Sequence, residues 1–190
     1  MHSQNLLSHK QYGFTPQTGT IDTVMDLKEF VQESLKEGSY IALISIEVQG
    51  AFDAVWWPGI INLLKNLQCP RNLYKFCVSY FNERKAVLTL NSRQEQRAIS
   101  KGCPQGSASR PGFWNMQFNP LLNLEYSKTT KVIAYADDLL ILTKGNTQVE
   151  VENYTNIEMQ KVTAWARENK IIFIERKSKL MIITRRRPKI

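Results

Sequence analysis

Two adjacent carboxylates, Asp137 and Asp138, follow Tyr135-Ala136 between two short apolar runs, 131–136 and 139–143. Turns favour Asp, so a purely structural hairpin accounts for the pair as well as a functional one does. Against that reading, neighbouring like charges at the end of buried strands repel one another, and a divalent cation between them relieves the repulsion. Glu47 closes another apolar run, Tyr-Ile-Ala-Leu-Ile-Ser-Ile-Glu-Val at 40–48. A lone acid there also suits the wet edge of a sheet. If the two runs are neighbours in one sheet, Glu47, Asp137 and Asp138 gather at one strand end. Hard oxygen ligands of this kind suit Mg2+, above all beside substrate phosphates. Two such ions can activate a 3′-hydroxyl and neutralise a triphosphate in an in-line displacement.

A third group is Lys101-Gly102-Cys103-Pro104-Gln105-Gly106-Ser107, a Gly- and Pro-punctuated loop leading into a helix. On pattern alone it is a turn with Ser107 as helix N-cap. Its small residues would equally let backbone amides approach a phosphate or base, with Gln105 in reach of a nucleotide or template. The C-terminal run holds Arg176, Lys177, Lys179, Arg185, Arg186, Arg187 and Lys189. Either it is a solvated tail or it binds nucleic-acid phosphates with strong salt dependence and little sequence preference.

These groups need elements to hold them. Ile21, Val24, Leu27, Val31 and Leu35 recur at helical spacing between a Thr20 N-cap and Gly38, predicting an amphipathic helix. The run 40–48 reads as a buried strand. Pro58 and Pro70 each start a helix, the second reaching Phe81. Residues 85–90 and 95–99 form a hairpin turning at Asn91-Ser92. A helix over 113–125 contains Pro120 and follows Pro111, which should cap or bend it. The two strands flanking Asp137-Asp138, a helix over 149–169 and a last strand pair at 171–174 and 180–184 complete the chain. Helices interleaved with local hairpins indicate an α+β fold.

The chain has 190 residues, with 25 Lys and Arg against 17 Asp and Glu, a formal net charge of +8. That length buries a core without metal or disulfide staples, and the charge points to an anionic partner. Three cysteines, Cys69, Cys77 and Cys103, lie too far apart for a zinc site and read as reduced thiols. The first residues lack a signal peptide's apolar core and no run is long enough to span a bilayer, so a nuclear or cytoplasmic protein, neither secreted nor membrane-bound, is expected.

Taken in order, Gln11-Tyr12-Gly13-Phe14, Ala51-Phe52-Asp53 with Trp56-Trp57-Pro58, the 102–107 loop, Phe113-Trp114-Asn115 and Tyr135-Ala136-Asp137-Asp138 resemble the reverse transcriptase domain of non-LTR (LINE-type) retrotransposons. Each segment is weak alone; the ordered set is specific and covers nearly the whole chain. The resemblance implies a right-hand polymerase palm, an antiparallel sheet with packed helices, with part of the fingers and no thumb. Residues 1–190 would then be a single domain cut from a longer polyprotein that also carries an endonuclease and thumb. The implied activity is RNA-directed DNA polymerisation with two Mg2+ ions, an RNA template, a DNA primer and deoxynucleoside triphosphates. By the same resemblance, Glu47, Asp137 and Asp138 are metal-binding and catalytic, and Lys177 assists the pyrophosphate leaving group. Phe52 stacks under the incoming sugar and excludes a 2′-hydroxyl, while Gln105 and Gly106 lie beside the nascent base pair.

Three positions depart from the family pattern. Glu47 stands where an aspartate is the first metal ligand, and its extra methylene moves the carboxylate by roughly 1.5 Å. A misplacement of about 1 Å costs on the order of 100-fold in rate. Arg110 replaces a small residue, and Ile174 a polar one. A catalytically inactive remnant that only binds nucleic acid is therefore the alternative. A nucleotide cyclase built on a palm is a further one, disfavoured by the 102–107 loop and the Tyr135–Asp138 turn.

Overall fold

The computed structural model describes residues 7–104 and 106–186. It divides into two compact units: 1–49 with 118–190, and 50–117.

The first unit is built on a four-stranded sheet of order β4-β5-β1-β6, with β1 Tyr40–Glu47, β4 Thr130–Tyr135, β5 Asp138–Gly145 and β6 Lys179–Ile183. All three pairings are antiparallel. Residues facing each other across neighbouring strands share a face, so the register sorts the side chains. Ile41, Leu43, Leu140, Leu142, Ile133 and Ile183 form one apolar face and pack with Leu27, Phe30, Val31 and Leu35 of helix α1, Thr20–Lys36. The opposite face meets α5, Gln148–Glu168, where the buried Thr143 and Thr155 hydroxyls are hydrogen-bonded. Burial on both faces explains why β1 and β5 read as nearly continuous apolar runs.

Helix α1 departs from the expected stripe. Ile21 is 78% exposed and Val24 57%, whereas Thr23 and Ser34 are buried. The buried side is set by polar anchors that periodicity does not register: Asp26 accepts a hydrogen bond from the Tyr12 hydroxyl at 2.8 Å and ion-pairs with Lys131 at 2.6 Å. The cap is Gly19 rather than Thr20, its N–H donating to the Asp22 carboxylate at 2.7 Å. The last strand pair is also revised. Residues 171–174 form no strand; Phe173 makes an isolated bridge to Val48, and only β6 joins the sheet. Four apolar residues are too short a signal to separate a bridge from a strand.

The second unit contains a 3-10 turn at Ala51–Ala54, α2 Trp57–Asn66, α3 Arg71–Phe81, the hairpin β2 Lys85–Leu90 and β3 Arg93–Ala98, and the start of α4, Arg110–Leu122. Pro58 lies in the first turn of α2 and Pro70 caps α3, where a missing N–H costs nothing. Trp57 stacks on Phe81 at 5.3 Å between centroids, and Phe81 meets Phe113 at 4.9 Å. The hairpin turns through Asn91 and Ser92, both left-handed, the geometry that matches strand twist. Pro120 sits within α4, two residues before its end, and the helix persists around it. The carbonyl of Leu122 at that end accepts from the Lys10 ammonium at 2.7 Å. A cation there also complements the helix dipole.

Candidate functional site

The antiparallel register of β1 with β5 places Glu47 directly opposite Asp138, so both lie on the sheet face that packs α1. The β4–β5 hairpin pairs Tyr135 with Asp138, leaving Ala136 and Asp137 as its two-residue turn. Thus the first unit brings Glu47, Asp137 and Asp138 to one strand end. Asp138 is exposed, Glu47 and Asp137 half-buried. Desolvation, then the neighbouring charges of Asp137 and Glu47, push the Asp138 carboxyl above its ordinary value. An acid held by its neighbours partly against ionisation is one that a cation would stabilise.

The turn itself is strained. Ala136 has φ +57, a left-handed conformation that costs a residue with a Cβ about 1–2 kcal/mol. The buried side chain of Gln11 holds it: Gln11 Nε2 donates to Ala136 O at 3.1 Å, and Gln11 Oε1 accepts from Ala136 N at 3.1 Å and from Gly13 N at 3.0 Å. Backbone bonds from Tyr12 N to Ala134 O and from Ala134 N to Lys10 O, each 2.8 Å, lay this segment along β4. Gln11 and Gly13 belong to the Gln11–Phe14 segment of the sequence pattern, which assigns them no task. The left-handed alanine that needs them has no signature in the sequence.

Lys177 reaches the same place from the other side of β1. Ile174 N donates to Glu47 O at 2.9 Å and Gln49 N to Ile172 O at 2.8 Å, so 172–174 runs beside the end of β1. A 3-10 turn, Glu175–Lys177, then delivers the Lys177 ammonium to an ion pair with Glu47 Oε1. Ile174, the apolar replacement, contributes through its backbone here. Among the described residues no three His, Cys, Asp or Glu side chains are already arranged as a metal cage. The donor chemistry of the three carboxylates still fits a hard divalent cation, provided Glu47 exchanges Lys177 for the ion.

The remaining predicted residues belong to the second unit. Phe52 is half-buried in the 3-10 turn, tilted against Trp114 with centroids 6.0 Å apart. The guanidinium of Arg110 lies over its ring at 4.1 Å, so this departure from the family pattern falls directly on the predicted sugar-stacking residue. The 102–104 strap is tied to the turn: Gly102 N donates to Val55 O at 2.7 Å, Cys103 N to Phe52 O at 3.0 Å, and the Trp57 indole to Gly102 O at 2.8 Å. Gly102 has φ +90 and a Cβ there would meet Asp53 O at 3.1 Å, so backbone conformation and close approach both select glycine. Gly106, at φ +81, faces open space. Gln105 lies outside the described residues. Ser107 is not the helix cap; α4 begins at Arg110, and the Ser107 hydroxyl pairs with that of Ser109 at 2.8 Å. Of the basic tail, Arg186 turns back onto the first unit, donating to Asn146 O at 2.9 Å and lying over the Tyr40 ring; 187–190 lie outside the described residues.

An antiparallel sheet with helices on both faces and acids at the shared end of its β4–β5 hairpin and β1 defines a polymerase-palm fold. The family model for reverse transcriptase (RNA-dependent DNA polymerase) matches residues 1–188, and the chain belongs to that family. It is 31% identical over 159 residues to the putative 115 kDa protein of the type-1 retrotransposable element R1DM of Drosophila melanogaster, covering 83% of this chain and 15% of that protein. It is 29% identical over 163 residues to the RNA-directed DNA polymerase of the mobile element jockey of Drosophila funebris, covering 82% and 18%. The chain therefore spans less than a fifth of these relatives. Among solved structures, apo telomerase from Candida tropicalis, truncated from its C-terminal domain, matches with a TM-score of 0.69 at 9% identity over 92% of this chain and 36% of that one. That likeness carries the fold. No helix among the described residues is long and apolar enough to cross a membrane.

Proposed function

We propose that this chain is the palm and part of the fingers of a retroelement reverse transcriptase, a single functional fragment of a longer polyprotein. In this reading it transfers deoxynucleotides to a DNA primer 3′-hydroxyl on an RNA template. The observation that carries it is Glu47 in register with Asp138, one residue from Asp137. Those three carboxylates would hold two Mg2+ ions, which supply charge neutralisation and hydroxyl activation when bound. The protein's part is position: β1 and β5 fix two of the acids by register, the hairpin turn fixes the third, and Lys177 stands ready as a cation beside them. Phe52 supplies the sugar-stacking ring, with Gln105 and Gly106 beside the nascent pair, and the retroelement's work places the protein in the nucleus or cytoplasm.

The test is primer extension on poly(rA) with an oligo(dT) primer and Mg2+, comparing the chain with Asp137→Ala and Glu47→Asp. Extension lost in Asp137→Ala and raised more than about tenfold in Glu47→Asp is the expected pattern, since glutamate misplaces its carboxylate on the scale that costs rate. A second reading is favoured by the ion pair of Lys177 on Glu47: a remnant that binds nucleic acid but no longer assembles its metals. It predicts salt-sensitive binding to the hybrid with no extension from either the chain or Glu47→Asp.

A further inference from the structure

We infer that Gln11, together with Gly13, is a positioning residue for the Asp137–Asp138 pair, a role that rests on the metal-site reading above. One buried amide, 2% exposed, satisfies both the N–H and the C=O of Ala136 and in the same stroke ties the Gly13 N–H to that turn. Ala136 is the residue whose left-handed backbone sets the direction of the chain entering Asp137. The approach is so close that a Cβ on Gly13 would stand 2.1 Å from Ala136 N and 2.7 Å from its Cα. Both are backbone atoms, so an added methyl displaces the turn rather than a side chain. Gln11 bonds to the peptide beside the acids, and Gly13 packs against it. Each acts through the peptide that carries them, much as outer partners orient ligands at metal sites.

The turn needs such a hold because its first residue, Ala136, does not favour the left-handed backbone it adopts. Ala is a poor left-handed residue, and a hairpin turn of Ala-Asp lacks the Gly or Asn that makes this geometry cheap. The edge of β4 supplies the platform: the 10–12 backbone bonds to Ala134 continue the sheet by one short parallel bridge, Gln11 opposite Ala134. Gln11 is thereby placed opposite Ala134, two residues before Ala136, and its side chain reaches along to the Ala136 peptide.

The experiment uses the full chain and two readouts other than turnover: Mn2+ binding, followed by the electron paramagnetic resonance of the free ion, and amide exchange at Ala136 and Gly13, followed by NMR. Gln11→Met keeps length and bulk but removes the amide. Gly13→Ala keeps every hydrogen-bonding group but crowds the turn, and Gln11→Glu keeps the acceptor while losing the donor. Thr155→Val, which disturbs the opposite face of the sheet, is the stability control. Gln11→Met and Gly13→Ala are expected to weaken Mn2+ binding by about tenfold or more, with Gln11→Glu intermediate and Thr155→Val unchanged at a matched loss of melting temperature. Gln11→Met should also speed exchange at Ala136 while amides of β1 keep their protection. Wild-type Mn2+ affinity and Ala136 exchange in both Gln11→Met and Gly13→Ala would overturn the inference. A wild-type chain that binds no Mn2+ would instead sink the metal-site reading, and exchange at Ala136 alone would then decide whether Gln11 holds the turn.

Discussion

Lys177 ion-pairs with Glu47, the acid that lies in register with Asp138 and that we propose as a metal ligand. The two come from segments 130 residues apart, joined because 172–174 runs antiparallel beside the end of β1. In the proposed site the ammonium therefore occupies a carboxylate that a metal ion would have to share. Both partners are partly exposed, so the pair is easily exchanged.

Removing that competitor separates two effects. Lys177→Met should tighten Mn2+ binding several-fold, because Glu47 no longer has to give up a partner. If Lys177 also serves the leaving group, kcat for extension falls while metal affinity rises. Titrating Mn2+ and measuring single-turnover extension on the same preparations checks both signs; weaker Mn2+ binding in Lys177→Met would mean that the lysine organises the site rather than competing for it.

The strand-end cluster was legible because β1 and β5 are buried on both faces, which leaves an uninterrupted apolar run ending in an acid, and because one short turn joins the two aspartates to their strand. Helices α2 and α3 were legible from their initiating prolines. What escaped depends on contacts between distant segments. The rotation of α1 is set by Asp26 meeting Tyr12 and Lys131; the hold on Ala136 comes from Gln11, and Lys177 finds Glu47 through backbone bonds of Ile174 and Gln49. None of these has a period or a local motif. The resemblance named Phe52 and Arg110 separately, but only the structure stacks one on the other.

That stack leads to a second expectation. A guanidinium 4.1 Å over an aromatic ring steadies it by about 0.5–1 kcal/mol at a partly exposed site. If the Phe52 ring screens the sugar, Arg110→Ala should loosen it and lower the preference for dTTP over UTP by a few-fold. Phe52→Ala, which removes the ring, should lower that preference by more than about tenfold, since a steric screen against one hydroxyl is worth at least that much. The ratio of kcat/KM for the two nucleotides is the measurement, and a ratio unmoved in Phe52→Ala removes the residue from sugar selection.

In the first unit, α5 carries a buried carboxylate with a structural task. Glu158 has a side chain only 2% exposed, 2.9 Å from the Lys161 ammonium, and its Oε1 accepts from Ser127 N at 2.9 Å. It thereby ties the 127–130 turn, which starts β4, to the helix. Glu158→Ala strips the turn of its acceptor and opens a cavity, and should cost about 1–3 kcal/mol of stability, the scale for leaving a buried donor unpaired. Urea unfolding is the check, and a change below about 1 kcal/mol would put the pair among surface bridges.

The Cys103 thiol gives stability a defined dependence on alkaline pH. Burial pushes it up from 9.0 to about 11, with the charges of Arg110 and Arg84 opposing that shift and Asp53 adding to it. Below the unfolded value, near 9.0, both states keep the proton and the stability tied to this group is fully present. Between that pH and about 11 the unfolded chain ionises while the folded one does not, so the unfolded state gains and stability falls. Cys103→Ala should flatten this part of the profile, although losing a buried sulfur lowers stability at every pH. Urea midpoints taken between pH 8 and 11 separate the two, because the cavity shifts the whole curve and the ionisation changes only its slope. Parallel curves for the two chains would show that Cys103 ionises alike in both states.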